Sequence, residues 1–415
     1  MEVNTAPAPA KTSRKIYALL SAYMFFYFAA QAMCIALLSN WLKSGLGLNG
    51  VETGVVFTAN FAAALCAQPL YGFISDKVGL RRHVLFFLGL MVAGCGPLFQ
   101  FVYEPLLKSN LIVGAVLGGV YLGVTFISGS FALESFIDRA GRKYGFEYGR
   151  VRMWGSLGFA FAAFFSGTLF NIDPHINFYI ASATATVLIG SLCLFRVEAS
   201  TAEKLASSSL KVADALAVLR MPKFWRFMVL ILGVTNLYLV YDQQFPVYYA
   251  SQFATPELGR VMFGRLASAQ IFVEAGMLFA APFIVTLIGI KRGLLLASAI
   301  MIVRIGGSGL VTGPVAISCM KMLHSFELPI LLVSIFRYIA AHFENRLAST
   351  LYLVGVSFGH SLGLAVLSPI AGRSYDLIGF PRTYLLISAG ALIFWLASGV
   401  SLAADPKTPA EPAQP

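Results

Sequence analysis

Charge is what this chain has least of: Asp, Glu, Lys and Arg make up 12% of its 415 residues, whereas 58% are hydrophobic. An ordinary soluble domain carries about twice that charged share, so a water-soluble globular protein of this length is excluded. Cysteine is scarce and unpaired. Cys34, Cys66, Cys95, Cys193 and Cys319 stand in apolar stretches with no CxxC spacing, which leaves no thiol-redox or metal site to build and predicts five small core residues. A phosphate-binding loop, an activated nucleophile and a metal-ligand cluster are missing as well, so neither an enzyme nor a metal or cofactor is expected. The opening "MEVNTAPAPAKTSRK" is polar, and no apolar core with a cleavage motif comes after it. The first apolar segment therefore reads as retained, not as a signal peptide.

What is abundant is apolar length. Windows of about 19 residues give twelve candidate spans, centred near Phe25, Phe61, Leu90, Gly119, Ala160, Val187, Leu237, Val273, Ile300, Leu331, Leu362 and Phe394. This predicts an all-α polytopic membrane protein. Basic residues outnumber acidic ones 30 to 19, for a net charge of +11. With both termini placed in the cytoplasm, 21 of the 30 fall in the tails and the even-numbered loops, six fall in the odd-numbered loops, and Arg152, Arg304 and Lys321 fall in spans. That asymmetry obeys the positive-inside rule. The basic balance then needs only the inner membrane face and its anionic lipids, and no nucleic-acid partner.

The longest interior break in hydropathy, "RVEASTAEKLASSSLKVADALAVLRMPKFW", divides the spans six and six. The expected organisation is a cytoplasmic tail over 1–16, a six-helix half over 17–196, a cytoplasmic linker over 197–222, a second six-helix half over 223–403 and a cytoplasmic tail over 404–415. The halves echo each other: "QPLYGFISDKVGLRR" after the second span matches "APFIVTLIGIKRG" after the eighth when Gly79 is set on Gly289. A weaker echo pairs "GTLFNIDPHINFY" with "GRSYDLIGFPRTY". Duplicated halves with a substrate site between them are a common build of secondary transporters.

Ionisable groups inside such spans cost about 2.5–3.5 kcal/mol each, so their positions carry information. Lys321, His324 and Glu327, at i, i+3 and i+6, lie within a third of a helix circumference and share one inward face. Glu134 and Arg152 sit on successive spans around "IDRAGRKYGFEYGR", and antiparallel packing can bring them to one depth. Either this is a binding pair, the default reading for an intramembrane pair, or it is a purely structural ion pair. His360 stands alone in an apolar span and reads as a neutral, hydrogen-bonded core histidine.

"GFISDKVGLRR" resembles the loop motif of the major facilitator superfamily, which implies roles for Gly72, Asp76, Arg81 and Arg82 in conformational change, with the two arginines facing lipid headgroups. "ALESF", "FEYGRVRMWGSLGF", "YDQQF", "IMIVRIGGSG" and "KMLHSFELP" resemble the oligosaccharide:proton symporters, the group that contains the lactose, raffinose and sucrose permeases. The resemblance runs from the first span to the last. It implies the major facilitator fold, twelve transmembrane helices in two pseudo-symmetric halves around a central cavity, working by alternating access in the bacterial inner membrane. The implied partners are a disaccharide, the proton as coupling ion and membrane lipid, with the monomer as the functional unit.

By this resemblance Glu134 and Arg152 are sugar ligands, with Ser156 and Phe159 on the next turns. Phe159 stands where lactose permeases stack a tryptophan on the sugar ring. Asp242 and Lys321 are a buried structural pair. A second such pair of lactose permeases is replaced here by Leu239 and His360. Ile271 aligns with the second-half sugar carboxylate of lactose permeases, and Glu274 sits one turn, about 4.5 Å, further on, as in sucrose permeases. "EPLLKSN" and "DPHINFY" resemble that branch too, so sucrose is the expected substrate, with a galactoside such as lactose, melibiose or raffinose as the alternative. Arg304, His324 and Glu327 match the proton site, with His324 linking it to the sugar. An apolar setting favours the protonated carboxyl and a nearby cation favours the carboxylate, so movement of Arg304 against Glu327 can load and release a proton. An exporter of another solute would carry fewer charges in its spans, and a membrane-embedded sensor would need an output domain.

Overall fold

The computed structural model describes residues 10–78, 82–194, 218–343, 351 and 356–405. Among these, all regular structure is helical. We number the membrane helices in chain order: α1 (Ser13–Gly45), α2 (Gly50–Val78), α3 (His83–Ala93 with Cys95–Ser109, bent by 48°), α4 (Leu111–Tyr144), α5 (Tyr148–Ile172) and α6 (Pro174–Leu194) make the first half. The second half holds α7 (Pro222–Ala250), α8 (Pro256–Ile288), α9 (Ile290–Leu310), α10 (Pro314–His342) and the stretch Val356–Ser401. That stretch is 46 residues long, about 69 Å if straight, more than twice a hydrocarbon core of about 30 Å. Gly379 divides it with φ 80°, ψ 167°, a conformation that a side chain would resist. It is therefore two helices, α11 (356–378) and α12 (380–401), and the described residues hold twelve membrane helices. All twelve expected centres fall within them.

Two expectations change. The first helix begins at Ala10, not near Tyr17, because the polar stretch Ala10–Ile16 continues the helix and Ser13 Oγ donates to the Tyr144 carbonyl at the end of α4. Of the five cysteines only Cys34 and Cys95 are buried; Cys66, Cys193 and Cys319 are exposed. A small apolar side chain is as stable against lipid as in a core, so burial is not required of it. The linker expected over 197–222 lies outside the described residues up to 217, as do Gly79, Arg81 and the side chain of Asp76.

Two close seams run between the halves among the described residues. Along one, α2 packs on α11: a Cβ on Gly50 would lie 2.5 Å from the Gly372 carbonyl oxygen, so the backbones touch. Asp376 of α11 accepts from the Gly50 and Val51 amides at 2.8 and 2.9 Å, satisfying the free N–H groups at the start of α2 and meeting its positive dipole end. Thr58 donates to the Ala365 carbonyl at 2.8 Å further along. Along the other seam α5 packs on α8, and a Cβ on Gly167 would lie 2.2 Å from the Arg260 carbonyl oxygen. There Asn171 donates to the Glu257 carbonyl at 2.8 Å and accepts from Arg260 Nε at 2.7 Å.

Candidate functional site

Arg152 of α5 donates from Nε to Glu134 Oε1 of α4 at 2.7 Å and from Nη1 to Ser156 Oγ at 3.2 Å. The guanidinium lies 4.5 Å from the centre of the Phe28 ring of α1, a cation–π contact that holds the plane of the fork. Antiparallel packing of α4 and α5 thus brings the pair to one depth. Both residues line a cavity of about 450 Å³ in the first half, whose wall also includes Phe28, Gln31, Asn60 and Ser130. The Glu134 and Arg152 side chains remain 25% and 33% exposed. The pair can therefore exchange bonds with a polar solute, and a carboxylate beside a guanidinium offers acceptors and donors to neighbouring hydroxyls.

Sequence reasoning misses Gln31 and Asn60, although each is an amide in an otherwise apolar span, the signal that marks a polar inward face. Phe159 is half-buried against the apolar core and is not among the residues lining the cavity. It lies seven residues, about 10 Å, beyond Arg152 along α5, so the same helix face at another depth does not reach the cavity wall.

In the second half five ionisable groups interlock. Lys321 Nζ of α10 meets Asp242 Oδ1 of α7 at 2.6 Å, and Arg304 Nη1 of α9 meets the same oxygen at 3.1 Å. Arg304 Nη2 lies 2.7 Å from Glu327 Oε1, which His324 Nδ1 also approaches at 2.7 Å. The Arg304–Glu327 contact is a close ion pair whose approach misses hydrogen-bond geometry, and Glu327 Oε2 is buried with no partner among the described residues. Two cations thus balance two carboxylates, with His324 as a fifth member. The Arg304 and Glu327 side chains are 0% exposed. Tyr241 lies under Arg304 at 4.8 Å and Tyr238 faces His324 at 5.7 Å. Lys321, His324 and Glu327 share a face as their spacing requires, across a joint at Leu323 where α10 is interrupted.

Asp242 and Lys321 do pair, but Arg304 shares the aspartate, so the pair is one end of a chain and not an isolated strut. Glu274 of α8 is half-buried. Ile271 is half-buried one turn before it. His360 bonds through Nε2 to Thr235 Oγ1 at 2.7 Å, the satisfied histidine its isolation suggested. Thr235 lies one turn before Leu239, which packs on the apolar core. Gly72 has open space where a Cβ would stand. Arg82 donates to the Leu192 carbonyl at the end of α6 at 2.9 Å, an intramolecular tie where contact with headgroups was expected.

Duplicated six-helix halves, with a cavity-facing ion pair in one and a sealed charge chain in the other, define a secondary transporter of the major facilitator fold. Solved transporters share this fold at low identity: the nucleoside transporter NupG superposes with a TM-score of 0.80 at 14% identity, over 94% of this chain and 99% of that one. A POT family transporter in complex with 5-aminolevulinic acid gives 0.69 at 10% identity, over 92% and 94%. Residues 9–411 match the family described as LacY proton/sugar symporter, and the chain belongs to that family of sugar:proton symporters. The lactose permease of Klebsiella oxytoca is 40% identical over 86% of this chain and 88% of its own. The raffinose permease of Escherichia coli is 37% identical over 97% and 96%, and the sucrose permease of Escherichia coli is 35% identical over 92% of each. These relatives are permeases, and the chain is a transporter and not an enzyme. Their identities lie too close together to single out the sucrose branch.

Proposed function

We propose that the chain imports a disaccharide with protons by alternating access, as a monomer in the bacterial inner membrane with both termini in the cytoplasm, and that the sugar is sucrose or a close relative. The observation that carries the coupling is Glu327: a fully buried carboxylate between Arg304 and His324, with one oxygen unpartnered among the described residues. A proton arriving there neutralises the carboxylate and releases Arg304 toward Asp242, and its departure restores the contact. Sugar binding is read by Glu134, Arg152 and Ser156 from one half and by Glu274 and His324 from the other. A sugar bonded to Arg152 in one half and to Glu274 in the other draws the halves together. Orientation rests on the excess of basic residues in the even-numbered loops.

Sucrose is favoured by the placement of Glu274 one turn beyond Ile271 and by His360 bonding to Thr235 where a charge pair is replaced. The higher identity to the lactose permease favours the second reading, a galactoside. Competition separates them: with labelled sucrose as tracer in cells, unlabelled sucrose should displace it better than lactose or melibiose, and lactose winning moves the chain to the galactoside reading. Coupling is tested with Glu327→Gln, which keeps size and hydrogen bonding but cannot ionise. Uphill accumulation should be lost while exchange without a gradient persists; retained proton-driven accumulation removes Glu327 from the coupling role.

A further inference from the structure

We infer that Asn60 of α2 is a sugar-reading residue whose amide bonds a hydroxyl of the oligosaccharide beyond the ring held by Glu134 and Arg152. The inference rests on the sugar-transport reading above and adds a second station to it. Asn60 lines the same cavity as the ion pair. It is 3% exposed, and its Oδ1 is buried without a hydrogen-bond partner among the described residues. Buried amides are ordinarily bonded; Oδ1 is enclosed, and a turn of the amide about its soft terminal torsion brings it to a solute in the cavity that the residue lines. It is separate from the first station, because the bonds of Arg152 go to Glu134 and Ser156 and none reaches α2.

The surroundings suit a sugar ring. Phe57 and Phe61, one turn before and one residue after Asn60, line the cavity with it, so apolar ring faces flank a polar amide. A pyranose or furanose ring presents that mixture, C–H faces toward aromatic carbon and hydroxyls toward donor and acceptor groups. The distance between the two stations is held by the fold. The Asn60 backbone carbonyl lies against Gly123, where a Cβ would come within 2.8 Å, and Ser128 Oγ donates to the Ala64 carbonyl at 3.0 Å. Gly123 and Ser128 bound the widened π-helical turn of α4 that leads to Glu134. Asn60 and Glu134 are therefore parts of one packed wall, and a cavity of about 450 Å³ falls within the range of small-ligand sites.

The test compares ligands that share a first sugar and differ in the group attached to it. Binding to purified full-length protein is measured for sucrose, lactose and melibiose, and for 4-nitrophenyl α-glucoside and galactosides, whose second group has no hydroxyls. Asn60→Leu should lower affinity for the bound disaccharide by about tenfold or more while nitrophenyl glycoside affinity stays within about twofold, and Asn60→Ser should recover part of the loss. The unchanged nitrophenyl affinity also shows that the variant folds. Equal affinities in wild type and Asn60→Leu overturn the assignment. A parallel loss for both ligand types overturns it too, since Asn60 would then act on the first ring or on the fold. A wild-type protein that binds no sugar defeats the sugar-transport reading before any substitution is made, and this inference with it.

Discussion

Arg152 and Arg304 each meet a carboxylate at 2.7 Å, yet the Arg152 side chain is 33% exposed in a cavity wall and that of Arg304 is 0% exposed. Arg152 has a single carboxylate, a hydroxyl and an aromatic face around it. Arg304 has two carboxylates and two tyrosine rings. Exposure lets the first pair open and re-form around a solute at low cost. Enclosure makes the second indivisible, because no water replaces a lost partner. Under the proposed function, the same chemistry serves recognition in one half and, in the other, a charge balance that one proton can tip.

Breaking the sealed chain should have the largest effect. Arg304→Met leaves Asp242 and Glu327 with Lys321 alone, an uncompensated negative charge in a low-dielectric setting worth about 3–5 kcal/mol. Transport should vanish and the thermal midpoint should fall; a variant of wild-type stability would show that Arg304 is not the hub. Asp242→Asn should come next, stranding Lys321 and Arg304 against Glu327. Adding Lys321→Met restores one cation to one carboxylate, so the double variant should transport better than either single one. A double variant no better than the worse single one means that the two residues are not coupled through Asp242.

Arg152→Lys probes the exposed side of the comparison. An ammonium cannot hold Glu134, Ser156 and a sugar hydroxyl as the planar fork does, so sugar affinity should drop by about tenfold or more with the melting temperature unchanged. A loss of stability comparable to that of Arg304→Met would erase the distinction between the halves. The smallest effect is expected at Phe159. Phe159→Ala should cost packing and alter sugar affinity by less than about threefold, because the ring stands off the cavity wall; a large affinity loss with intact folding would return it to the binding site.

Twelve apolar spans, their division six and six, and the pairing of Glu134 with Arg152 were legible from the sequence, because hydropathy, helical period and the antiparallel return of adjacent helices are local properties. The shared face of Lys321, His324 and Glu327 came from spacing alone. The meeting of Asp242 and Lys321, 79 positions apart, came only through resemblance to a family. The arrangement of helices decided the rest. Arg304 reaches both Asp242 and Glu327 because α7, α9 and α10 converge, and the tilts that bring them together leave no mark on hydropathy. Phe159 misses the cavity by depth, a coordinate that helical periodicity does not contain. Asp376 caps α2 from the opposite half, and Asn60 faces the same hollow as Glu134 because α2 is pressed against the widened turn of α4. An amide in an apolar run looks alike whether it bonds a neighbour or stands unbonded beside a cavity, and only the packed structure separates the two.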